Sequence, residues 1–366
     1  MRLIEALSLA VAIVLLLLEM SKHPLSEPIA ETGRKYHYSA FLLFIFWGAL
    51  VFVAGFRNGF VDTVTYRQLY ERAGTDFAFA FTDEMELETG FKLLMIFLNR
   101  ITPDSQILIF LTSFVILSIE IKQICKYSSD IPFSLLLYFL LSFMGTMNGI
   151  RQCLAAAILF LAFDWILKRK TAPYILLVLL VSTIHTSALI CIPLYFIMSG
   201  KRLNWGIWLF FAAILAVFAF PTAADNILLH ILEDSTYEEY VTNQEKMGAM
   251  RLFVAAVPTL LALLYSRFTR INHTQISRVT SVLINMQMLS FGFTLMGLKM
   301  LYYARLSMYV GYANILLLPI TIKGCFRGRD ATWVKIISII LYVLFFAYQI
   351  FSYDKYGYMQ SFYLVF

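Results

Sequence analysis

The chain of 366 residues is 60% hydrophobic and only 14% charged, whereas soluble domains run nearer half apolar and a quarter charged. Apolar runs of about 17–20 residues recur along its length, enough to cross roughly 30 Å of hydrocarbon, without the alternation of barrel strands. A soluble globule and a β-barrel are excluded, and the formal charge of +6 reads as cations retained on the cytoplasmic face rather than as a nucleic-acid surface. The expected fold is all-α, a polytopic transmembrane bundle forming a single integral membrane domain over 1–366.

The first run, residues 3–20, is followed by Lys22 and His23 without a small-residue cleavage site, and reads as a retained helix. Lys22, Arg34 and Lys35 precede a second run. Residues 57–90 then form an acidic outer loop carrying Asp62, Glu71, Asp76, Asp83, Glu84, Glu86 and Glu88. Within it, "GFRNGFVDTVTYRQLY" (55–70) sets Asp62, Tyr66 and Tyr70 at i, i+4 and i+8, one face of a short helix, with Arg57 ahead of them. A carboxylate for hydroxyls and aromatic faces for rings suit a sugar; an interfacial helix with Tyr at headgroup level has the same pattern. Glu84, Glu86 and Glu88 read either as ligands of a divalent cation or as a solvated acidic loop. "GFKLLMIFLNR" (90–100) is too short to cross and is placed as an outer interfacial or dipping helix.

"TMNGIRQCLAAAILFLAF" (146–163) puts Arg151 and Gln152 at the mouth of an apolar run, where an unpaired guanidinium is costly. Asp164 and Lys168, at i and i+4, are expected to pair; Glu5 and Glu120 lie near helix ends and read as structural. Residues 172–198 have basic clusters on both sides, so a single pass cannot return to its own face. Two helices of about 12 residues, about 18 Å each, would meet near 182–187 with His185 at the tip. Flanked by Ser182, Thr183, Thr186 and Ser187, His185 suits a proton acceptor or a donor to phosphate; a histidine bonded to a helix-tip carbonyl is the structural alternative. A second acidic outer loop spans 221–250, and Lys299, Tyr302, Tyr303 and Arg305 follow at the outer end of a later run.

Basic clusters at 122–126, 168–170, 201–202, 267–278 and 323–335 belong to the cytoplasm. The alternation gives about twelve segments, including the short-helix hairpin at 172–200, with both termini outside. Arg151 and Arg305 each open a helix running inward, where the macrodipole disfavours a cation by about 0.3–1 kcal/mol. A bound anion reverses that sign, and arginine's planar fork suits phosphate oxygens. Snorkelling to headgroups, or pairing with Asp62 or an acidic-loop residue, would also account for both. The four cysteines, Cys125, Cys153, Cys191 and Cys325, are scattered and read as packing residues. No G-x-S-x-G, H-E-x-x-H, Walker or dinucleotide fingerprint is present, and no internal repeat suggests an inverted-repeat transporter.

On "NGIRQCLAAAILFLAF", "STIHTSALICIPLYF", "GFRNGFVDTVTYRQLY", "ETGFKLLMIFLN" and "YYARLSMYV", the chain resembles the EpsG family, the Wzy-like polymerases of bacterial exopolysaccharide and O-antigen synthesis. Val61 stands where the family usually has a glycine before the aspartate. The resemblance implies glycosyl transfer at the outer face of the bacterial cytoplasmic membrane. A glycan on undecaprenyl diphosphate is passed to the next lipid-linked repeat unit. The expected partners are the lipid-linked oligosaccharide, membrane lipid, and a chain-length regulator or flippase. No cofactor is expected, and no metal, since no His/Cys/Asp ligands cluster at metal spacing and two arginines can neutralise a diphosphate. Arg151, Arg305 and Gln152 would bind the diphosphate, His185 or Asp62 would serve as base, and Arg57, Tyr66, Lys299, Tyr302 and Tyr303 would contact substrate. An O-antigen-type ligase, a flippase of lipid-linked oligosaccharide and a membrane O-acyltransferase are the rival readings. A flippase needs polar groups facing both sides, and an acyltransferase does not need arginines at helix mouths.

Overall fold

In lipid every backbone N–H and C=O must bond within its own segment, so the Leu-, Ile-, Val- and Phe-rich runs fold as helices. The computed structural model describes residues 2–29, 31–82, 85–222 and 247–365. Its first helices are α1 (Arg2–Met20), α2 (Ala40–Gly55), α3 (Thr63–Ala73), α4 (Thr89–Asn99), α5 (Gln106–Tyr127) and α6 (Ile131–Tyr138). Next come α7 (Ile150–Leu161), α8 (Thr171–Ser182), α9 (Cys191–Met198) and α10 (Trp205–Ala219). The last are α11 (Ala249–Ile271), α12 (Arg278–Met296), α13 (Leu301–Leu306), α14 (Tyr312–Cys325) and α15 (Gly328–Lys355). Strands β1 (His23–Ile29) and β2 (Arg34–His37) pair as an antiparallel hairpin.

Among the described residues, five helices are long and apolar enough to cross a membrane: α1, α5, α11, α12 and α15. The segments 301–309 and 312–325, bent by 66°, make a sixth if taken as one broken span. The rest of the twelve segments expected from the sequence would have to come from shorter apolar helices, of which there are seven. The chain is an all-α, multi-pass membrane protein.

Contacts group the chain into two units. The first comprises Met1–Phe163, Ile175–Leu189 and Thr332–Phe366. At one end Arg34 donates to Cys125 O (2.5 Å), and Lys335 pairs with Asp130 (2.9 Å) at the start of α6. At the other, the final residues run back along the end of α2. Asn58 N bonds Tyr363 O (2.7 Å), Gly59 N bonds Ser361 O (3.0 Å) and Val365 N bonds Phe56 O (2.8 Å). Between the ends, Gln123 on α5 donates to Phe160 O and Leu161 O of α7, and buried Glu120 accepts from Tyr138. A carboxyl expected near a helix end thus lies inside the unit, joining α5 to α6.

The acidic segment 57–90 is not an open loop. Its described part holds α3, a 3-10 turn at Phe77–Phe81 and the start of α4. Tyr70, Ala80, Phe91 and Met95 form a buried layer with Leu108 and Ile109 of α5. At 11 residues, α4 is about 16 Å long and does not span a bilayer.

The second unit comprises Asp164–Tyr174 and Ile190–Ala331. At one end Arg278 donates to Ile166 O, Leu167 O, Ser199 O and Gly200 O. Beside it Asn285 bonds Ile197 O and Lys201 O, and accepts from Leu203 N. At the other end of α12, Met247 N bonds Gly297 O (2.9 Å) and Lys299 donates to Pro221 O (3.2 Å). The start of α8 packs on α9, with Thr171 donating to the Tyr195 hydroxyl (3.0 Å) and Tyr174 against the Tyr195 ring; the two helices are joined at their base as a hairpin requires. Asp164 and Lys168, expected to pair, lie one helical turn apart, with Lys168 N bonded to Asp164 O (2.9 Å), and the turn closes at Arg169, whose φ is 53°.

Candidate functional site

At the end of the first unit opposite the basic hairpin, four elements converge: the start of α3, the start of α4, the start of α7 and the turn after α8. The chain enters α3 through Val61, whose φ of 47° lies in the left-handed region, rarely occupied by a β-branched residue and costly for it. This is the position where the family resemblance implies glycine, a residue that takes this conformation without cost. It delivers Asp62 to α7, where Oδ2 accepts the N–H of Gly149 (2.9 Å). Gly149, left-handed at φ 67°, is the N-cap of α7, and no side chain caps that helix.

Arg151 is therefore the second residue of α7, at the positive end of the helix as expected. Its Nε donates to the Tyr66 hydroxyl (3.4 Å) and its Nη1 to Glu88 Oε2. The other carboxylate oxygen, Oε1, takes His185 Nδ1 at 3.0 Å and Thr186 N at 2.9 Å. One carboxylate thus joins the cation at the mouth of α7 to the imidazole at the turn after α8. The side chains of Arg151, Glu88 and His185 are 22%, 12% and 10% exposed, shielded yet open to a ligand.

A close approach holds this arrangement. Gly90, in the first turn of α4, donates its N–H to Thr183 O (2.7 Å). A Cβ there would lie 2.3 Å from Thr183 Oγ1 and 2.7 Å from its carbonyl oxygen, so only glycine lets α4 seat Glu88 beside the His185 turn. Burial pushes the Glu88 carboxyl up, but the His185 hydrogen bond, the Arg151 charge and the Thr186 N–H outweigh it and hold it at about 2. A carboxyl depressed in this way contributes stability above its unfolded value, about 4.3, and loses it only as pH falls towards 2. With Nδ1–H donating to Glu88 Oε1, the acceptor lone pair of a neutral imidazole lies on Nε2.

The other expected residues fall in different places. Tyr66 and Tyr70, on the same face of α3, both belong to the buried layer; the Tyr66 hydroxyl accepts from Arg151, and that of Tyr70 donates to Thr102 O. Gln152 is buried on α7. Arg57 is fully buried, its Nε on Thr63 Oγ1 (2.9 Å) and its Nη1 on Ser113 Oγ (2.9 Å) and Ala54 O. In this structure it braces the end of α2 and offers no surface to a substrate. Lys299, Tyr302, Tyr303 and Arg305 belong to the second unit. The expectation that Arg305 opens a helix is corrected. It occupies the last turn of the six-residue α13, and the membrane helix proper starts afterwards at Tyr312. The helix-end argument made for Arg151 does not carry over, because a cation in a last turn is favoured by the dipole.

Glu88 went unrecognised in the sequence because it was one of three carboxylates in "DEMELE". What distinguishes it is the approach of residues 183–186, which local sequence does not encode. Glu86 is exposed, and Glu84 lies outside the described residues, as do the acidic positions Asp225, Glu233, Asp234, Glu238, Glu239 and Glu245.

The EpsG family profile matches residues 40–363. No curated protein and no solved structure matches the chain. The matched region takes in α3, α4, α7, the His185 turn and α13, every element that carries a candidate residue, and the chain belongs to the EpsG family.

Proposed function

We propose that this multi-pass membrane protein is a Wzy-like polysaccharide polymerase. It transfers a growing glycan from undecaprenyl diphosphate to a lipid-linked repeat unit at the outer face of the bacterial cytoplasmic membrane. Family membership supports the reaction class, and one geometric observation supports the site. A phosphate-binding cation at a helix N-terminus and a hydrogen-bonded imidazole are held by the two oxygens of one carboxylate.

In this reading Arg151 and the backbone N–H groups opening α7 take the donor's diphosphate. An acceptor hydroxyl oxygen attacks the anomeric carbon. The C–O bond to phosphate breaks with its electron pair leaving on the diphosphate, and the hydroxyl proton passes to His185 Nε2. Asp62, engaged with Gly149, is the positioning residue for α7 rather than the base. Arg305, Lys299, Tyr302 and Tyr303 are candidates for glycan or carrier contact, each to be tested by its own substitution.

The test is polymer formation by membranes carrying Arg151→Ala or Arg151→Lys. Both are expected to abolish polymer at normal protein levels, with single repeat units accumulating on the carrier. Full activity in Arg151→Lys would overturn the two-pronged phosphate contact. Long chains left on the carrier would point to a ligase instead.

A further inference from the structure

Glu88 sits at the N-cap of α4 without capping that helix; its carboxylate turns instead to Arg151 and His185. Among the described residues it is the only anion bonded to Arg151, whose other partner is the Tyr66 hydroxyl. Among the described residues, Lys92 and Asp62 are engaged with other partners. Lys92, one turn further along α4, donates to Thr82 O (2.7 Å), and Asp62 accepts from Gly149. The Thr186 N–H shares Oε1 with His185.

A dianionic diphosphate arriving at α7 must therefore displace a carboxylate from Arg151, and that carboxylate remains bonded to the imidazole. We propose that Glu88 is a positioning residue that couples donor binding to the base: before the donor binds it neutralises Arg151, and once the diphosphate takes Arg151 its charge acts on His185 alone. The coupling rests on the polymerase reading above and deepens it. Its physical basis is competition: an Arg151 held by an internal anion is only fractionally competent for the donor, so apparent affinity falls by that fraction. The released carboxylate then stabilises the imidazolium formed as the hydroxyl proton arrives, the role of an orienting acid behind a catalytic histidine.

Coupling of this kind separates binding from turnover. In Glu88→Gln the amide oxygen can still accept from His185 Nδ1–H and Thr186 N–H, but the charge is gone. Binding of geranylgeranyl diphosphate to the purified protein in detergent, measured by titration calorimetry, should tighten by about tenfold. In turnover with lipid-linked repeat units, kcat should fall by about 10²-fold. The acid limb of the pH–rate profile should move to lower pH, since the base has lost its neighbouring anion. Glu88→Ala, which asks nothing of hydrogen-bond geometry, should tighten diphosphate binding in the same way. A carboxylate that merely braces the fold would weaken binding and turnover together, so failure of both variants to tighten binding overturns the coupling. Arg151→Gln separates this from the underlying reading: unchanged diphosphate binding in that variant overturns the assignment of the site itself.

Discussion

Two half-buried arginine centres, one in each unit, show how differently the same side chain can be used. Arg278 reaches the carbonyls of Ile166, Leu167, Ser199 and Gly200, at the ends of helical segments, where the dipole is negative and a cation belongs. Its hydrogen bonds are spent on backbone that stays in place. Both arginines open their own helices, where the dipole opposes a cation, but Arg151 reaches only a single side-chain carboxylate and a tyrosine hydroxyl. An arginine whose fork is satisfied by the carbonyls at other helices' C-termini is part of the frame. One held by a side-chain anion is arranged to meet another anion.

Replacing each centre should break the molecule in a different way. Arg278→Met removes the Arg278 donor from Leu167 O and Gly200 O, while Ile166 O and Ser199 O keep Arg169. It should cost about 1–3 kcal/mol, read as lost accumulation in the membrane and a lowered Tm in detergent. Arg151→Ala should leave both near wild type while polymer disappears. Equal destabilisation by the two substitutions would erase the distinction.

A smaller effect should come from the contact that seats Glu88. Gly90→Ala pushes α4 away from Thr183 by several tenths of an ångström or more. Misplacement on that scale should cost about 10²-fold in turnover, with Arg151 still able to bind a diphosphate. Wild-type turnover in Gly90→Ala would show that the spacing between Glu88 and His185 does not matter.

These contrasts also mark what could be read from the chain alone. The apolar runs, the short helix carrying Asp62 and Tyr66, the break near His185 and the N-terminal position of Arg151 all follow from local pattern, and the structure has them. Glu88's role depends on two segments about a hundred positions apart meeting at Gly90 and Thr183, which no local pattern reports. The burial of Arg57 depends on α5 and on the chain's last residues, again distant in sequence. At Arg305 the sequence pattern and the fold part for a local reason. Residues 301–325 look like one apolar run, yet the chain turns by 66° between the two arms, so the residue at the start of the run is at the end of a helix.

The smallest effect concerns the entry to α3. Val61→Gly removes the strain of a β-branched residue at positive φ, worth about 1–2 kcal/mol, against about 0.5–1 kcal/mol of added chain entropy in the unfolded state. A net gain of about 0.5 kcal/mol, seen as a slightly higher Tm, is expected. A loss of stability would mean that packing of the Val61 side chain outweighs its backbone strain.

The central claim is that the histidine held by the carboxylate of Glu88 takes the acceptor's proton. Single-turnover transfer between purified lipid-linked repeat units, comparing wild type with His185→Gln, tests it most directly. Glutamine can hydrogen-bond at that position but cannot carry the proton away, so the rate should fall by about 10²–10⁴-fold with donor binding unchanged. Near-normal transfer by His185→Gln would contradict the account and return Asp62 as the base to be examined.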